Sequence, residues 1–204
     1  MSTVNTANLG IAKAVVGSGE PFNGGTLIWS ALDALDHDIG ASASGGVGTA
    51  YANSTTETAL QTLTIAANDA VAGSVWRMNL WAQISSTGTP TLTLRSRIGW
   101  VNSGTPGTVV TSTVVATSTL AGVLYRVDMD LIAVTIGASA TWLGDLQLDG
   151  NTGVADVIAA ATATVGPQAS NVAVTWALTA QWSAASVSNT TQRLGAWASK
   201  AVTT

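Results

Sequence analysis

The chain has 204 residues, of which 47% are hydrophobic and only 9% are charged, and its net charge at pH 7 is −4. The length suits one β-sandwich or β-barrel domain with an additional arm. The acidic balance argues against nucleic-acid binding through a general basic field, and the absence of cysteine excludes disulfide bonds and thiolate metal sites.

The N-terminal sequence has no basic region followed by an apolar core, so we expect no secretory signal. No apolar stretch approaches the roughly 18 residues of a membrane helix, so we expect no membrane partner.

The surface composition indicates a subunit of an assembly. An average soluble domain carries roughly 25% charged residues, whereas this chain has too few charges to cover an ordinary monomer surface. Its 30 threonines, with many serines and alanines, must therefore occupy much of the exterior. Small hydroxyl-bearing surfaces of this kind suit packing against neighbouring protein.

Residues 1–55 predict an N-terminal extended arm. Turn signals at 17–21 and 23–25 and a Gly/Ser-rich connector at 41–48 separate short apolar segments. Between them, Trp29, Leu32 and Leu35 recur every third residue, which indicates a short helical turn that acts as a hydrophobic interface plug. The alternative is that this region adds one or two edge strands to the following domain, and the sequence leaves both open.

Residues 56–204 predict one β domain, and its clearest elements are two consecutive runs with a period of two. Alternate residues are apolar from Ser74 to Ile84 and again from Leu92 to Ile98. The segment 86–90 between them carries the Gly and Pro of a tight connection. The pattern predicts a β-hairpin made of these two runs.

Further alternating runs, separated by turn residues, predict an all-β sandwich or jelly roll of about eight strands. The alternation becomes irregular through 132–136, which indicates a bulge. The predicted strands are 60–65, 74–84, 92–98, 108–116, 125–131, 142–148, 172–182 and 190–198.

One dense polar cluster surrounds the only histidine, His37, with Asp33, Asp36 and Asp38 beside it. Carboxylates and an imidazole could hold a divalent cation. Adjacent positions seldom direct their side chains to one centre, so we favour the interpretation that these residues solvate a loop. We predict no metal, no cofactor and no catalytic residue.

Asp128 and Asp130 lie two apart on one strand face, and Arg126 shares that face. Paired carboxylates hydrolyse glycosides when they oppose each other across a cleft. We favour instead a cross-strand ladder of ion pairs, with Arg95 and Arg97 across the sheet. The chain is therefore expected not to be an enzyme.

Trp81 interrupts a polar strand face, because the alternation places it outward between Asn79 and Gln83. An outward tryptophan is typical of an interface, of a face covered by another segment, or of a site that stacks on sugar rings. All three interpretations stay open, with the interface favoured.

Several segments resemble a recurring structural domain of tailed bacteriophages. They are TETAL at 56–60, AGSVWR at 72–77, STGTPTLTLRSRIG at 86–99, and TAQWSAASVSNT at 179–190, which is similar to the closing strands of the same proteins. The resemblance covers roughly residues 56–198. It implies a jelly-roll or TNF-like sandwich of head decoration (cement) proteins and minor tail or fibre proteins, commonly trimeric.

The leading prediction from this resemblance is a capsid decoration protein, made in the bacterial host cytoplasm and located on the virion surface. Its expected partners are the major capsid protein lattice and two further copies of itself. The expected interface residues are Trp29, Leu32, Leu35 and Trp81. The alternative is a minor tail or fibre protein that recognises host-surface glycans.

Overall fold

The computed structural model describes residues 3–5, 12–14, 42–116, 118–150, 157–160 and 164–201. These residues form β-strands whose pairings are all antiparallel. They include no helix long and apolar enough to cross a membrane. The strands are β1 Thr3–Asn5, β2 Ala12–Ala14, β3 Ser42–Gly45, β4 Tyr51–Ala52, β5 Thr58–Ile65, β6 Val75–Ser86, β7 Thr91–Ile98, β8 Thr108–Ala116, β9 Leu120–Ala133, β10 Trp142–Asp149, β11 Val157–Ala160, β12 Val174–Trp182 and β13 Thr190–Ala201.

Two packed sheets make a β-sandwich. The first sheet has the order β11-β10-β9-β6-β13-β3, with β4 also paired to β13, and the second has the order β5-β12-β7-β8. Strands β1 and β2 pair with each other in a separate two-stranded sheet. The predicted all-β sandwich is confirmed.

The connectivity is that of a jelly roll. Eight strands, β3, β5, β6, β7, β8, β9, β12 and β13, can be counted one to eight in chain order. They then lie in the orders 1-8-3-6 in the first sheet and 2-7-4-5 in the second, which is the strand order of two Greek keys rolled together. Strands β10 and β11 extend the first sheet beyond β9.

The predicted hairpin of 74–84 with 92–98 is wrong. Strand β6 pairs with β9 and β13 in the first sheet, whereas β7 pairs with β12 and β8 in the second. The segment 87–90 therefore crosses from one sheet to the other. Two one-sided strands give the same alternation whether they pair edge to edge or pack face to face, so the period alone does not decide between these arrangements.

The bulge predicted at 132–136 is also wrong, because β9 ends at Ala133 and a loop follows. The register shifts occur elsewhere, in β12 between Leu178 and Thr179 and in β13 between Arg193 and Gly195, among other places. Irregular alternation near 132–136 marks the end of the strand.

Part of the predicted arm belongs to the sandwich. Strands β3 and β4 lie within residues 1–55 and pair with β13, and the Tyr51 ring is buried in the core. Edge strands are thus the better description of residues 42–52. Trp29, Leu32 and Leu35 lie outside the described residues, so the division into arm and domain stays a prediction.

Large aromatic rings fill the space between the two sheets. Trp76, Trp142, Trp176 and Trp182 are almost completely buried. The rings of Trp76 and Trp142 meet with centroids 5.7 Å apart, and Trp176 Nε1 donates a hydrogen bond to Ser96 Oγ at 2.8 Å. Truncation of such a ring costs about 3–5 kcal/mol, so these residues are central to the stability of the sandwich.

Candidate functional site

Trp81 lies on the outer face of the first sheet, as the alternation of β6 predicts. Its neighbours Leu80 and Ala82 point into the core, whereas the Trp81 side chain is 49% exposed. Directly opposite on β9 is Arg126, whose guanidinium carbon lies 5.9 Å from the centre of the indole ring. Across the other edge of β6 is Gly195 on β13. Because glycine has no side chain, no side chain lies directly opposite the ring on β13.

A second tryptophan shares this face. Trp197 on β13 is 47% exposed and is directly opposite Asn79 on β6, so it is the diagonal neighbour of Trp81. Diagonal neighbours on one sheet face are about 7–8 Å apart. We call the outer surface around Trp81 and Trp197 the tryptophan face.

Trp197 was not identified from the sequence because a register shift hides its direction. Thr191, near the start of β13, is buried, and counting alternate residues from it would place Trp197 in the core. The register shift between Arg193 and Gly195 reverses the alternation. Ala198 and Lys200 then face inward and Trp197 faces solvent.

Ion pairs continue the tryptophan face toward β10. Arg77 donates to both carboxylate oxygens of Asp130, at 2.8 and 2.9 Å, across the β6–β9 ladder. Arg126 contacts Asp128 on the same strand at 2.9 Å, and Asn79 also donates to Asp128. A ladder of ion pairs is therefore present.

The cationic members of this ladder differ from the prediction. Arg95 and Arg97 lie on β7, in the second sheet, and Arg77 is the cross-strand partner. A cross-strand partner must lie in the same sheet as Asp128 and Asp130. The chain crosses to the second sheet after β6, so Arg95 and Arg97 on β7 cannot be that partner.

A concavity of about 240 Å³ lies mainly over β9 and β10 on this face, and Arg126, the cross-strand neighbour of Trp81, forms part of its lining. The Asp145 carboxylate accepts a hydrogen bond from the Asp130 backbone N–H at 3.0 Å. The Gln147 amide has no hydrogen-bond partner in the part of the chain that the structure describes. The concavity is lined by Arg77, Arg126, Asp128, Met129, Asp130, Asp145 and Gln147.

A separate charged cluster joins the strands of the second sheet. The Glu57 carboxylate receives two hydrogen bonds from Arg97, at 2.5 and 2.7 Å, lies 3.4 Å from Arg95 and accepts a hydrogen bond from the Thr179 hydroxyl. Burial tends to raise the pKa of Glu57, but the hydrogen bonds from Arg97 and Thr179 and the two arginine charges outweigh it. The pKa of Glu57 is consequently lower than its ordinary value.

The cluster brings together segments that lie far apart in the chain. Glu57 belongs to the TETAL segment, and Arg95 and Arg97 belong to the STGTPTLTLRSRIG segment. These segments meet in one ion-pair cluster, which stabilises the second sheet.

One end of the sandwich, which we call the loop end, forms an uncharged surface that exposes several aliphatic side chains. It consists of loops 66–74, 99–107, 134–141 and 164–173. These loops lie together because each follows a strand that ends at the same end of the sandwich. The Ser170 backbone links three of these loops. Its carbonyl oxygen accepts a hydrogen bond from the Asn68 N–H at 2.9 Å, and its N–H donates to the Gly137 carbonyl oxygen at 2.9 Å. Five aliphatic side chains are 39–68% exposed there, namely Val71, Val101, Val134, Ile136 and Val172.

The loop end carries no exposed charge. Asp69 is the only charged residue in its four loops, and its carboxylate is buried against Lys200 Nζ at 3.1 Å. The sequence pattern does not indicate this surface, because each loop contributes only one or two of its exposed valine and isoleucine side chains. A search for loops that lack charge and carry valine or isoleucine would have indicated it.

The remaining sequence-predicted residues cannot be assigned to either surface by the structure. Trp29, Leu32, Leu35 and the cluster of Asp33, Asp36, His37 and Asp38 lie outside the described residues. Among the described residues, no group of three or more His, Asp, Glu or Cys side chains is arranged to hold a metal ion.

Comparisons with known proteins add little to this description. No family model matches the chain, and no curated protein matches it. Among solved structures, the CBM2 module of the evolved Dit protein of Lactobacillus casei BL23 phage J-1 is similar over 70% of each chain, with 9% sequence identity and a TM-score of 0.33. A similarity of this size carries no argument about the function of this chain.

Proposed function

We propose that this chain is a structural protein of a tailed-bacteriophage virion and acts as a capsid decoration protein. In this proposal a homotrimer binds the lattice of the major capsid protein, and the loop end of each subunit faces the capsid. The protein acts by binding and not by catalysis. The proposal rests on one observation above all, which is that the loop end combines five exposed aliphatic side chains with no exposed charge.

The physical argument concerns the cost of leaving this surface in water. Burial of apolar surface contributes roughly 25 cal/mol per Å², so five small aliphatic side chains provide a modest affinity for one subunit. A trimer would engage three such contacts at once, and linked contacts raise the overall affinity without any tight single site. A lattice of repeated subunits is a partner that suits a surface of this kind.

The sequence resemblance supports the same proposal. The segments that carry it occupy β5, β6, β7 and the β12–β13 region, and the family to which they are similar includes head decoration proteins. The interface plug of Trp29, Leu32 and Leu35 would extend the contact over a neighbouring subunit. Deletion of residues 1–41, which retains β3, should therefore leave a folded domain that attaches more weakly to capsids.

A capsid-binding assay tests the proposal. Purified protein is mixed with capsids that lack it, and binding is measured by sedimentation and located by electron microscopy. We expect saturable binding at regular lattice positions. The variants Val101→Lys and Ile136→Lys should each weaken binding at least about tenfold, because a charge would be buried without a partner.

Val187→Lys provides the matched control. Val187 is 75% exposed and lies in the β12–β13 loop, at the opposite end of the sandwich, where Asn189 contacts Thr87. Its substitution should leave capsid binding unchanged. Absence of binding by the unmodified protein, or equal losses in all three variants, would contradict the proposal.

A second candidate function is a minor tail or fibre protein that recognises host-surface glycans. The specific observation in its favour is the tryptophan face, where two exposed indole rings lie on the same sheet face as a polar concavity. Binding to host cell walls in a preparation that does not bind capsids would support this candidate over the first.

A further inference from the structure

We infer that the tryptophan face binds an uncharged glycan, with sugar rings stacked on Trp81 and Trp197. This inference gives the second candidate function its ligand class and rests on the same face, but it does not require a particular location in the virion. It is independent of the loop end, so the two proposals can fail separately.

Two properties of the tryptophans suit stacking. Each indole is about half exposed, and each is fixed on a strand of a continuous sheet and not on a loop. The C–H face of a sugar ring packs on the face of an aromatic ring, and rigid aromatic side chains lose little conformational entropy when they bind. The diagonal placement of Trp81 and Trp197 gives two such platforms in a row oblique to the strands.

The concavity on the same sheet face supplies hydrogen-bonding groups for the hydroxyls of a further sugar unit of the glycan. Gln147 offers an amide without a partner among the described residues, and Asp145 uses one carboxylate oxygen for the Asp130 N–H and keeps the other available. Planar amide and carboxylate groups can bind neighbouring hydroxyls in pairs. Because β10 lies two strands from β6, stacking at the tryptophans and hydrogen bonds in the concavity together suit an oligosaccharide of several sugar units.

The charges on this face select against acidic sugars. Both guanidinium groups are already engaged, Arg77 with Asp130 at 2.8 Å and Arg126 with Asp128 at 2.9 Å. Because Asp145 adds a third carboxylate, the lining of the concavity has two positive and three negative charges. A sulfated, phosphorylated or uronic-acid sugar would be repelled, and it would find no free cation in the lining.

These charges also distinguish a glycan from a protein partner. The groups that line the concavity are polar and spaced around an open depression, whereas the centre of a protein interface is depleted of Asp and is predominantly apolar. The uncharged loop end is closer to that description than the concavity of the tryptophan face, which three aspartates line.

The test uses the full-length protein on an array of neutral oligosaccharides and of matched sulfated and uronic-acid oligosaccharides, followed by titration calorimetry with the best ligand. We expect binding to at least one neutral glycan and weaker binding to its acidic counterpart. Trp81→Ala and Trp197→Ala should each reduce affinity at least about tenfold, as expected for a central aromatic contact.

Val114→Ala is the control, because Val114 is an exposed residue on the outer strand β8 of the second sheet. Its affinity for the glycan should equal that of the unmodified protein, and thermal unfolding should show that all three variants fold. Absence of binding to every neutral glycan, preference for acidic glycans, or equal losses in the tryptophan and control variants would overturn the inference. Loss of capsid binding in Trp81→Ala without any glycan binding would instead assign this face to a protein contact.

Discussion

Arg97 and Glu57 form a two-point ion pair that spans strand β12. Arg97 Nε lies 2.5 Å from Glu57 Oε1, and Arg97 Nη2 lies 2.7 Å from Glu57 Oε2. Strand β12 lies between β5 and β7. The ion pair therefore connects Glu57, the residue before β5, to Arg97 on β7 across the intervening strand. Thr179 on β12 donates to the same carboxylate, so three strands share one anion.

We expect Glu57→Gln to lower the free energy of unfolding by about 2 kcal/mol, because it leaves the largely buried Arg97 guanidinium without a counter-charge. Denaturant unfolding measures this change. Asp130→Asn is the matched control, because the Arg77–Asp130 pair is much more exposed and such pairs contribute about 0–1 kcal/mol. Equal effects of the two substitutions would contradict the structural role of Glu57.

The pH dependence of stability should show the same ion pair. The folded-state pKa of Glu57 is below the ordinary value of 4.5, so its contribution is present above pH 4.5 and is lost as pH falls through the lowered folded-state pKa. Below pH 4.5 the Tm of the unmodified protein should therefore fall more steeply than that of Glu57→Gln. Parallel Tm profiles of the two proteins in this range would show that Glu57 is not responsible.

Lys200→Met should destabilise the protein by about 3–5 kcal/mol, because it leaves the Asp69 carboxylate buried without a cation. Lys200 Nζ donates to the Asp69 carbonyl oxygen at 2.8 Å and to Asp69 Oδ1 at 3.1 Å, which ties β13 to the β5–β6 loop. The double variant Asp69→Asn with Lys200→Met should be about 1–2 kcal/mol more stable than Lys200→Met alone. Strict additivity in the double-mutant cycle would argue against a direct interaction.

Gly107→Ala should destabilise the fold by at least about 2 kcal/mol. Gly107 has a φ of 68°, and a Cβ there would lie 2.4 Å from the Ile98 carbonyl oxygen. Gly73→Ala isolates the steric effect, because Gly73 also has a positive φ, of 90°, but a Cβ there meets nothing within 4 Å. The control should cost only about 1 kcal/mol from backbone strain. Similar losses of Tm in the two variants would mean that the close approach at Gly107 relaxes.

The alternation of apolar residues was sufficient to predict most of the main strands. The eight predicted runs coincide with β5, β6, β7, β8, β9, β10, β12 and β13, and Trp81 points outward as predicted. Alternation reports which side of a strand is buried, but it does not report which strand lies beside it. The neighbours of β6 and β7 in their two different sheets, the partners of Arg95 and Arg97, and the direction of Trp197 were therefore not accessible in this way.

By itself the sequence determined the all-β class, the inward and outward sides of most strands, and the scarcity of charge. These properties depend on residues close together in the chain, where backbone pleating and burial act locally. Only the tertiary structure decided that four distant loops form one uncharged end and that Trp81 and Trp197 share a face. Those two surfaces arise from strand order and from one register shift in β13, which depend on contacts between segments far apart in the chain.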